Sequence, residues 1–429
     1  MAYNKQNTNP NVPNLSFKRE QSETCFDSAE RVINQKQNVP NLRFPEFSED
    51  WVQTTIGEIG NIKNGPFGSV LHAEDYVSNG VPIVTTEHFK FGTLPTISEG
   101  IPQVSDEDYI RLKGYVLNEN DIVFSRVGSV DINALVGKKQ SGWLFSGRVL
   151  RVRPMVKINP LCLHYVLSTE SVKKDIRNRA VGQTMPSINT PILSKTALKI
   201  PNNIIEQNKI ASLLSLLDNR IATQNKIIED LKKLKVAIIE NAFCGKHYNY
   251  KIGDIITQIS NRNKSNKETN VLSVSNKLGF VEQSEQFEDR TVASEDVTNY
   301  KIVRTNDFVY NPARINVGSI ARLKQYESGI VSPMYICFHA KKNVLPEYLE
   351  MFFLTQYFKH EMYKRLEGSV RLCLSFEGLT NIPISIPEIP LQKEISEKIL
   401  AFETKIGIEE HYLNALEKQK QYLLQQMFI

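Results

Sequence analysis

One long-range pattern constrains this chain more than any other. The segment SLLSLLDNRIATQNKIIEDLKKLKVAIIENAF ends at Phe243, and a similar one, EKILAFETKIGIEEHYLNALEKQKQYLLQQMF, ends at Phe428, 185 residues later. In the first, a seam reads Ile210, Leu214, Leu217, Ile221, Gln224, Ile228, Leu231, Lys235, Ile238, Ala242. In the second it reads Ile395, Ile399, Phe402, Ile406, Glu409, Leu413, Leu416, Lys420, Leu423, Met427. Steps of four and three alternate, the 3.5-residue spacing of a coiled coil. No proline falls between Asn202 and Pro312 or after Pro390, so neither helix is broken. From Glu206 to Phe243 the first would be ~57 Å long at 1.5 Å per residue. A helix with one apolar stripe must bury it. The economical solution is that the two stripes bury each other, antiparallel, within one chain. Gln224 and Glu409 are the middle of their seams and are then expected to meet and fix the register.

The repeat extends upstream of the helices. Asp121, Thr169, Gly182 and Pro201 match Asp307, Thr355, Gly368 and Pro387 at a shared offset of 186, and TTIGEIGNI (54–62) is echoed by YKIGDIITQ (250–258). Each helix therefore follows a globular unit. Strand-like runs such as YVLNENDIVFSRVG and SGRVLRVRP alternate with turn clusters, and helices are expected at Leu161–Arg179 and over LPEYLEMFFLTQYFKHEMYKRL. The expected class is α+β: two pseudo-repeated α/β units joined by two long helices that form an antiparallel coiled coil. The boundaries read 1–38, 39–203, 204–244 (central helix, a spacer), 245–387 and 388–429 (C-terminal helix). Residues 1–38 are rich in Asn and Gln, and VPNLSF (12–17) nearly duplicates VPNLRF (39–44); a disordered extension of unknown role is expected. At 429 residues, the chain has room for about three such structural parts.

Several function classes are excluded by composition and motif. No apolar run approaches the ~18 residues of a membrane helix, and no secretory signal opens the chain. Five scattered cysteines make neither a disulfide framework nor a metal site, which points to a reduced, cytoplasmic protein. A phosphate loop of the form GxxxxGK[ST], a dinucleotide fingerprint and a Pro-Asp dipeptide are all missing, and the seven histidines show no metal-ligand spacing. NPAR (311–314) is similar to the Asn-Pro-Pro-aromatic loop of adenine methyltransferases, but the second proline and the aromatic are absent, and a strand-end turn is the better reading. No catalytic, metal or cofactor site is expected.

What remains is binding. Basic residues exceed acidic ones 17 to 13 in 51–200 and 18 to 15 in 245–387. Arg126 lies in a turn with Ser125, Gly128 and Ser129; Lys138 and Lys139 follow, and Arg151 and Arg153 share one strand face by the period of two. Lys173, Lys174, Arg177 and Arg179 crowd a helix end, and Lys173, like Arg365 in the second unit, would equally complement a helix dipole. The second unit offers Arg314, Arg322, Lys324, Lys364, Arg365 and Arg371. Glycine turns carrying Arg, Gln (Gln183) and Ser suit base-edge hydrogen bonds, and lysine clusters suit phosphates. Nucleic acid is the partner this suggests; a coiled-coil scaffold whose units bind proteins is the competing reading, and would lack a steep salt dependence.

Two variable units, each followed by a long helix, resemble the specificity (S) subunit of type I restriction-modification systems. VPNLRFPEFSEDW (39–51) is similar to the family's start. NENDIVFSRVGS (118–129) is similar to its Gly-Asp-Ile-Leu-Phe-Ser-Arg strand and turn, with Asn120 where Gly is usual. IPNNIIEQNKIASLLSLLDNRI (200–221) and IPEIPLQKEISEKILAFETKI (386–406) resemble its Pro-Glu-Gln-Lys-Ile helix openings, with Leu391 in the second copy where the first has Glu206. The resemblance implies a DNA-binding subunit without catalysis of its own, whose two target recognition domains each read one half of an asymmetric, split site. It also implies that two methyltransferase subunits dock on the helices and two motor-endonuclease subunits join them. S-adenosylmethionine, ATP and Mg would be bound by those partners.

Overall fold

In a computed structural model of the chain, the described residues are 38–66, 70–243, 248–276, 278–282, 296–368 and 371–429. The expected disorder of 1–38 thus lies outside the described residues, apart from Asn38. The chain divides into two compact units, one comprising residues up to Leu216 together with Gln419–Ile429, the other Leu217–Lys418.

Each unit is built on the same plan. The first holds a four-stranded antiparallel sheet in the order Gly60–Asn64, Val149–Pro154, Ile122–Ser125, Asn133–Leu135. A second four-stranded sheet runs Tyr76–Val77, Gln103–Val104, Val81–Val84, Leu144–Phe145, with the last pair parallel. The second unit repeats this with Ile256–Ile259, Ile336–Ala340, Phe308–Tyr310, Ile320–Arg322, and with Gly279–Glu282, Val271–Ser275, Ser328–Val331, Lys301–Arg304. There too one pair, Val271–Ser275 with Ser328–Val331, is parallel.

The central helix spans Ile204–Phe243 and the C-terminal helix Ile389–Gln426, 40 and 38 residues. All twenty seam positions named from sequence, among them Ile210, Leu217, Gln224, Leu231, Ile395, Phe402, Glu409 and Leu416, are buried or partly buried. The pairing is antiparallel. In the first unit Ile210 and Leu214, near the start of the central helix, share a core with Met427 and Phe428 at the chain end. In the second, Ile239 and Phe243 share a core with Ile399. There the Gln224 amide donates to the Glu409 carboxylate and, at 3.2 Å, to the Glu409 carbonyl, as the seam pattern predicts. The Lys405 ammonium and this amide hold the Glu409 carboxyl below its ordinary value. The seam lysine Lys235 reaches Glu403 at 3.1 Å.

The helix openings show why their motif contains glutamine. Gln207 is buried; its Nε2 donates to the Pro201 carbonyl and its Oε1 accepts from the Asn159 N–H, both at 2.8 Å. Gln392 repeats this with the Pro387 carbonyl and the Leu345 N–H, both at 2.8 Å, and adds the Asn343 carbonyl at 3.0 Å. Each glutamine ties the first turn of a long helix to the start of a short domain helix. Glu206 beside Gln207 is 1% exposed and accepts from Arg43 Nε and Nη2, at 2.7 and 2.9 Å, and from the Trp51 indole N–H at 3.3 Å. VPNLRFPEFSEDW is therefore a staple. It also donates the Leu42 N–H to the Gln426 carbonyl at 2.8 Å, and Trp51 meets Phe428 edge-on at 5.9 Å. Leu391, at the place of Glu206 in the second copy, is exposed instead.

Two expected helices are each broken in two. Pro160–Leu167 and Glu170–Arg179 replace one helix over Leu161–Arg179; Pro346–Phe352 and Gln356–Tyr363 replace one over LPEYLEMFFLTQYFKHEMYKRL. The cause is the repeated threonine. Thr169 Oγ1 donates to the Val166 carbonyl and Thr355 Oγ1 to the Phe352 carbonyl, both at 2.7 Å. Each is the residue from which the next helix starts.

Among the described residues no helix is long and apolar enough to cross a membrane, and no cluster of His, Cys, Asp or Glu is arranged to hold a metal.

Candidate nucleic-acid interface

The strand Ile122–Ser125 enters from a tight turn. The Asp121 carboxylate accepts the Asn118 N–H at 2.8 Å, and Asn120 takes a left-handed φ of +73°. In the second unit Asp307 accepts the Arg304 N–H at 2.7 Å, and Asn306 has φ +72°. Only glycine adopts this conformation freely, with asparagine the best-tolerated substitute, which explains Asn120 at a place where glycine is usual.

The strand leaves into the turn that the sequence marked as base-reading. Ser125 is buried and its hydroxyl donates to the Val127 carbonyl at 3.1 Å; Arg126 is partly buried, with its guanidinium on the Gly147 carbonyl at 3.1 Å; Ser129 is exposed. A second loop docks against this turn. The Gly128 N–H donates to the Pro186 carbonyl at 2.8 Å and the Ile188 N–H to the Arg126 carbonyl at 2.9 Å. That loop, 181–187, is closed at its base by a bridge between Val181 and Ser187 and exposes Gln183, Thr184 and Met185. Gly182 opens it at φ +100°, where a Cβ would stand 2.8 Å from the Met185 carbonyl oxygen. The second unit has the same device: Glu367 bridges Cys373, the Leu374 N–H donates to the Pro312 carbonyl at 3.0 Å, and Gly368 has φ +116°. Arg314 and Arg371 are exposed on its turn and its loop.

The structure thus gathers Ser125, Arg126, Ser129 and Gln183 at one end of the main sheet of the first unit, and Arg314 and Arg371 at the corresponding end of the second. It does not bring the other candidates there. Lys138 and Lys139 are exposed, but they follow Val136, whose N–H donates to the Asp121 carbonyl at the opposite end of the same strand. Arg153 is bidentate on Asp121, 2.7 Å to each oxygen, and Asp121 is 1% exposed. Arg151 is buried, donating to Asn61 at 2.7 Å, and burial lowers its pKa. Arg322 is buried between Glu347 at 2.6 Å and Glu350 at 2.9 Å, and Lys324 pairs with Glu350 at 2.8 Å. The period of two put Arg151 and Arg153 on one face correctly, but that face carries their own chain's acceptors. Among the helix-end charges, Arg177 pairs with Asp131 and Glu170, Arg179 with Asp175, and Lys364 and Arg365 with Glu361.

Sequence reading passed over Arg148. It is exposed, its carbonyl accepts the Arg126 N–H at 2.9 Å, and it lines a cleft of about 610 Å³ with Tyr76, Thr85, Thr86, Glu87, His88 and Ser146. The only signal was the turn SGR directly before a strand.

Residues 48–233 and 246–418 match the family described as the type I restriction modification DNA specificity domain. The specificity subunit of the type I restriction enzyme MjaVIII from Methanocaldococcus jannaschii is 24% identical over 415 residues, covering 89% of this chain and 92% of that protein. The crystal structure of the S subunit of a type I restriction-modification system from M. genitalium aligns over 91% of this chain and 99% of its own with a TM-score of 0.54 at 15% identity. A chain from a structure of a type I R-M system, reported for its complex assembly and conformational transition, aligns over 89% of this chain and 98% of its own with a TM-score of 0.56 at 13% identity. The doubled turn-and-loop device, the two long helices and a family match over both repeats agree: the chain belongs to the specificity subunits of type I restriction-modification systems.

Proposed function

We propose that the chain reads an asymmetric, two-part site on double-stranded DNA, each unit taking one half. The observation that carries this is the duplicated turn with its docked segment, 125–129 with 181–187 and 311–318 with the bridged pair Glu367 and Cys373. Both are anchored by the same backbone hydrogen bond, Ile188 to Arg126 and Leu374 to Pro312, while their exposed side chains differ. A common scaffold with unlike tips is what two readers of unlike sequences require. The contacts we assign to base edges are Ser129, Gln183, Arg314 and Arg371, with Arg126 in support of the turn; Lys138 and Lys139 would meet phosphates. Arg151, Arg153, Arg322 and Lys324 are given structural roles.

In this reading the chain makes and breaks no bonds. The long helices set the spacing of the half-sites and dock two methyltransferase subunits, which bring S-adenosylmethionine to adenine. Two motor-endonuclease subunits, with ATP and Mg, complete the complex and act in the cytoplasm. The test is binding of the chain with its cognate methyltransferase to a randomised duplex library across a salt series. Enrichment of a split motif with steep salt dependence supports the reading. Salt-insensitive association with no enriched motif would instead favour a protein-binding scaffold.

A further inference from the structure

The cleft beside Arg148 has the composition of a base-pair reader. Val81–Val84 and Leu144–Phe145 run parallel, in register at Ile83 with Leu144 and Val84 with Phe145. Both strands end at the cleft, so Thr85–His88 and Ser146–Arg148 form adjacent parts of its wall. The mouth of a sheet beyond the carboxyl ends of parallel strands is a common place for a ligand, because the departing loops leave a crevice there.

The imidazole of the wall has a defined sense. The Thr85 backbone N–H points at His88 Nδ1, 3.1 Å away. A backbone N–H can only donate, so Nδ1 accepts and the neutral ring carries its proton on Nε2. Burial lowers the His88 pKa below its ordinary value and keeps the ring neutral near pH 7. Ser146 is 8% exposed, and its hydroxyl has no hydrogen-bond partner among the described residues, an arrangement that buried polar atoms seldom retain without a ligand or a water. Arg148 and Glu87 are both exposed. Donors and a carboxylate acceptor therefore face one space. A phosphate would meet Glu87 as a like charge. A guanine–cytosine pair in the major groove meets both signs, since guanine offers two acceptors, O6 and N7, and cytosine a donor, its N4 amino group.

We propose that this cleft reads one guanine–cytosine pair in the half-site taken by the first unit. Arg148 donates to guanine O6 and N7, Glu87 accepts from cytosine N4, and the His88 Nε2–H holds the water or base edge between them. The inference rests on the DNA-reading function above and adds a base identity to it. The Arg148 carbonyl is tied to the turn 125–129 through the Arg126 N–H, and that of the adjacent Gly147 through the Arg126 guanidinium, so the cleft and the turn read neighbouring positions.

The test uses the full chain with its cognate methyltransferase subunits and a randomised duplex library, comparing the parent with Arg148→Lys and Glu87→Gln. Lysine keeps the charge and loses the two-pronged fork. Both variants are expected to relax the same single position, with guanine preference there falling about tenfold or more, while the other half-site keeps its sequence. An unchanged motif in both variants overturns the proposal. A uniform loss of affinity over all sequences, with a salt dependence shallower by about one phosphate contact, also overturns it, because Arg148 then meets the backbone. If the parent chain itself enriches no motif, the DNA-reading function fails, an outcome distinct from failure of the cleft.

Discussion

Replacing Gln207 and Gln392 by alanine tests the joint between helices and domains. Gln207→Ala leaves the Asn159 N–H and the Pro201 carbonyl without partners at a site only 3% exposed. Stranding a buried backbone donor or acceptor costs about 1–3 kcal/mol, so the loss is about 2–6 kcal/mol. Gln392→Ala strands three groups at a site with no exposure, for about 3–9 kcal/mol. The two tryptophans, Trp51 and Trp143, both belong to the first unit, so their emission reports that unit alone. In urea, with a slope of about 2–3 kcal/mol/M, Gln207→Ala should lower the tryptophan midpoint by about 1–2 M. Gln392→Ala should act mainly on the transition followed by circular dichroism. A Gln207→Ala midpoint within about 0.2 M of the parent would refute the claim that this side chain locks the helix to its domain.

Other consequences follow from local geometry. Asn120→Gly should leave stability nearly unchanged while Asn120→Ala costs about 1–2 kcal/mol, read from thermal midpoints, because only the alanine strains a φ of +73°. Cys162 and Cys337 have thiols pushed up to about 12 by burial, Glu206 adding to the shift at Cys162. Iodoacetamide at pH 8 should spare both until the chain unfolds, as followed by mass spectrometry. Their folded pKa values lie above the unfolded value near 9, so their contribution is complete below about pH 9 and is lost as pH rises toward 12. A urea midpoint that rises over that interval would contradict the assignment. Replacing Lys138 and Lys139 together by alanine should weaken DNA binding evenly across sequences and reduce the salt slope by up to about two, measured by anisotropy titration.

The parts of the fold legible in sequence are those set by local periodicity. The seam was readable to the residue because a coiled coil demands apolar side chains every 3.5 positions whatever surrounds it. Gln224 and Glu409 were conspicuous as its polar interruptions, and they meet. Thr169 and Thr355 stood out as repeat markers, but their power to end a helix depends on a hydroxyl turning back to a carbonyl three residues earlier, which periodicity does not reveal. The staple at 39–51 was visible as a motif, whereas its function needed Glu206, more than 150 residues away. The site was less legible still. Alternation placed Arg151 and Arg153 on one face without saying that Asn61 and Asp121 cover it. Arg148 has no periodic signature at all, since its exposure depends on a parallel strand pair about 60 residues apart in sequence.

On the proposed function, each unit reads half of one split site. Adenine-methylation mapping of DNA from cells carrying the cognate methyltransferase tests it most directly, comparing the parent chain, no chain, and a chain whose loop tip Gln183–Met185 is replaced by alanines. The expected result is an asymmetric two-part methylated motif with the parent, none without it, and a motif altered in one half only with the variant. A methylome identical in all three cultures would contradict it.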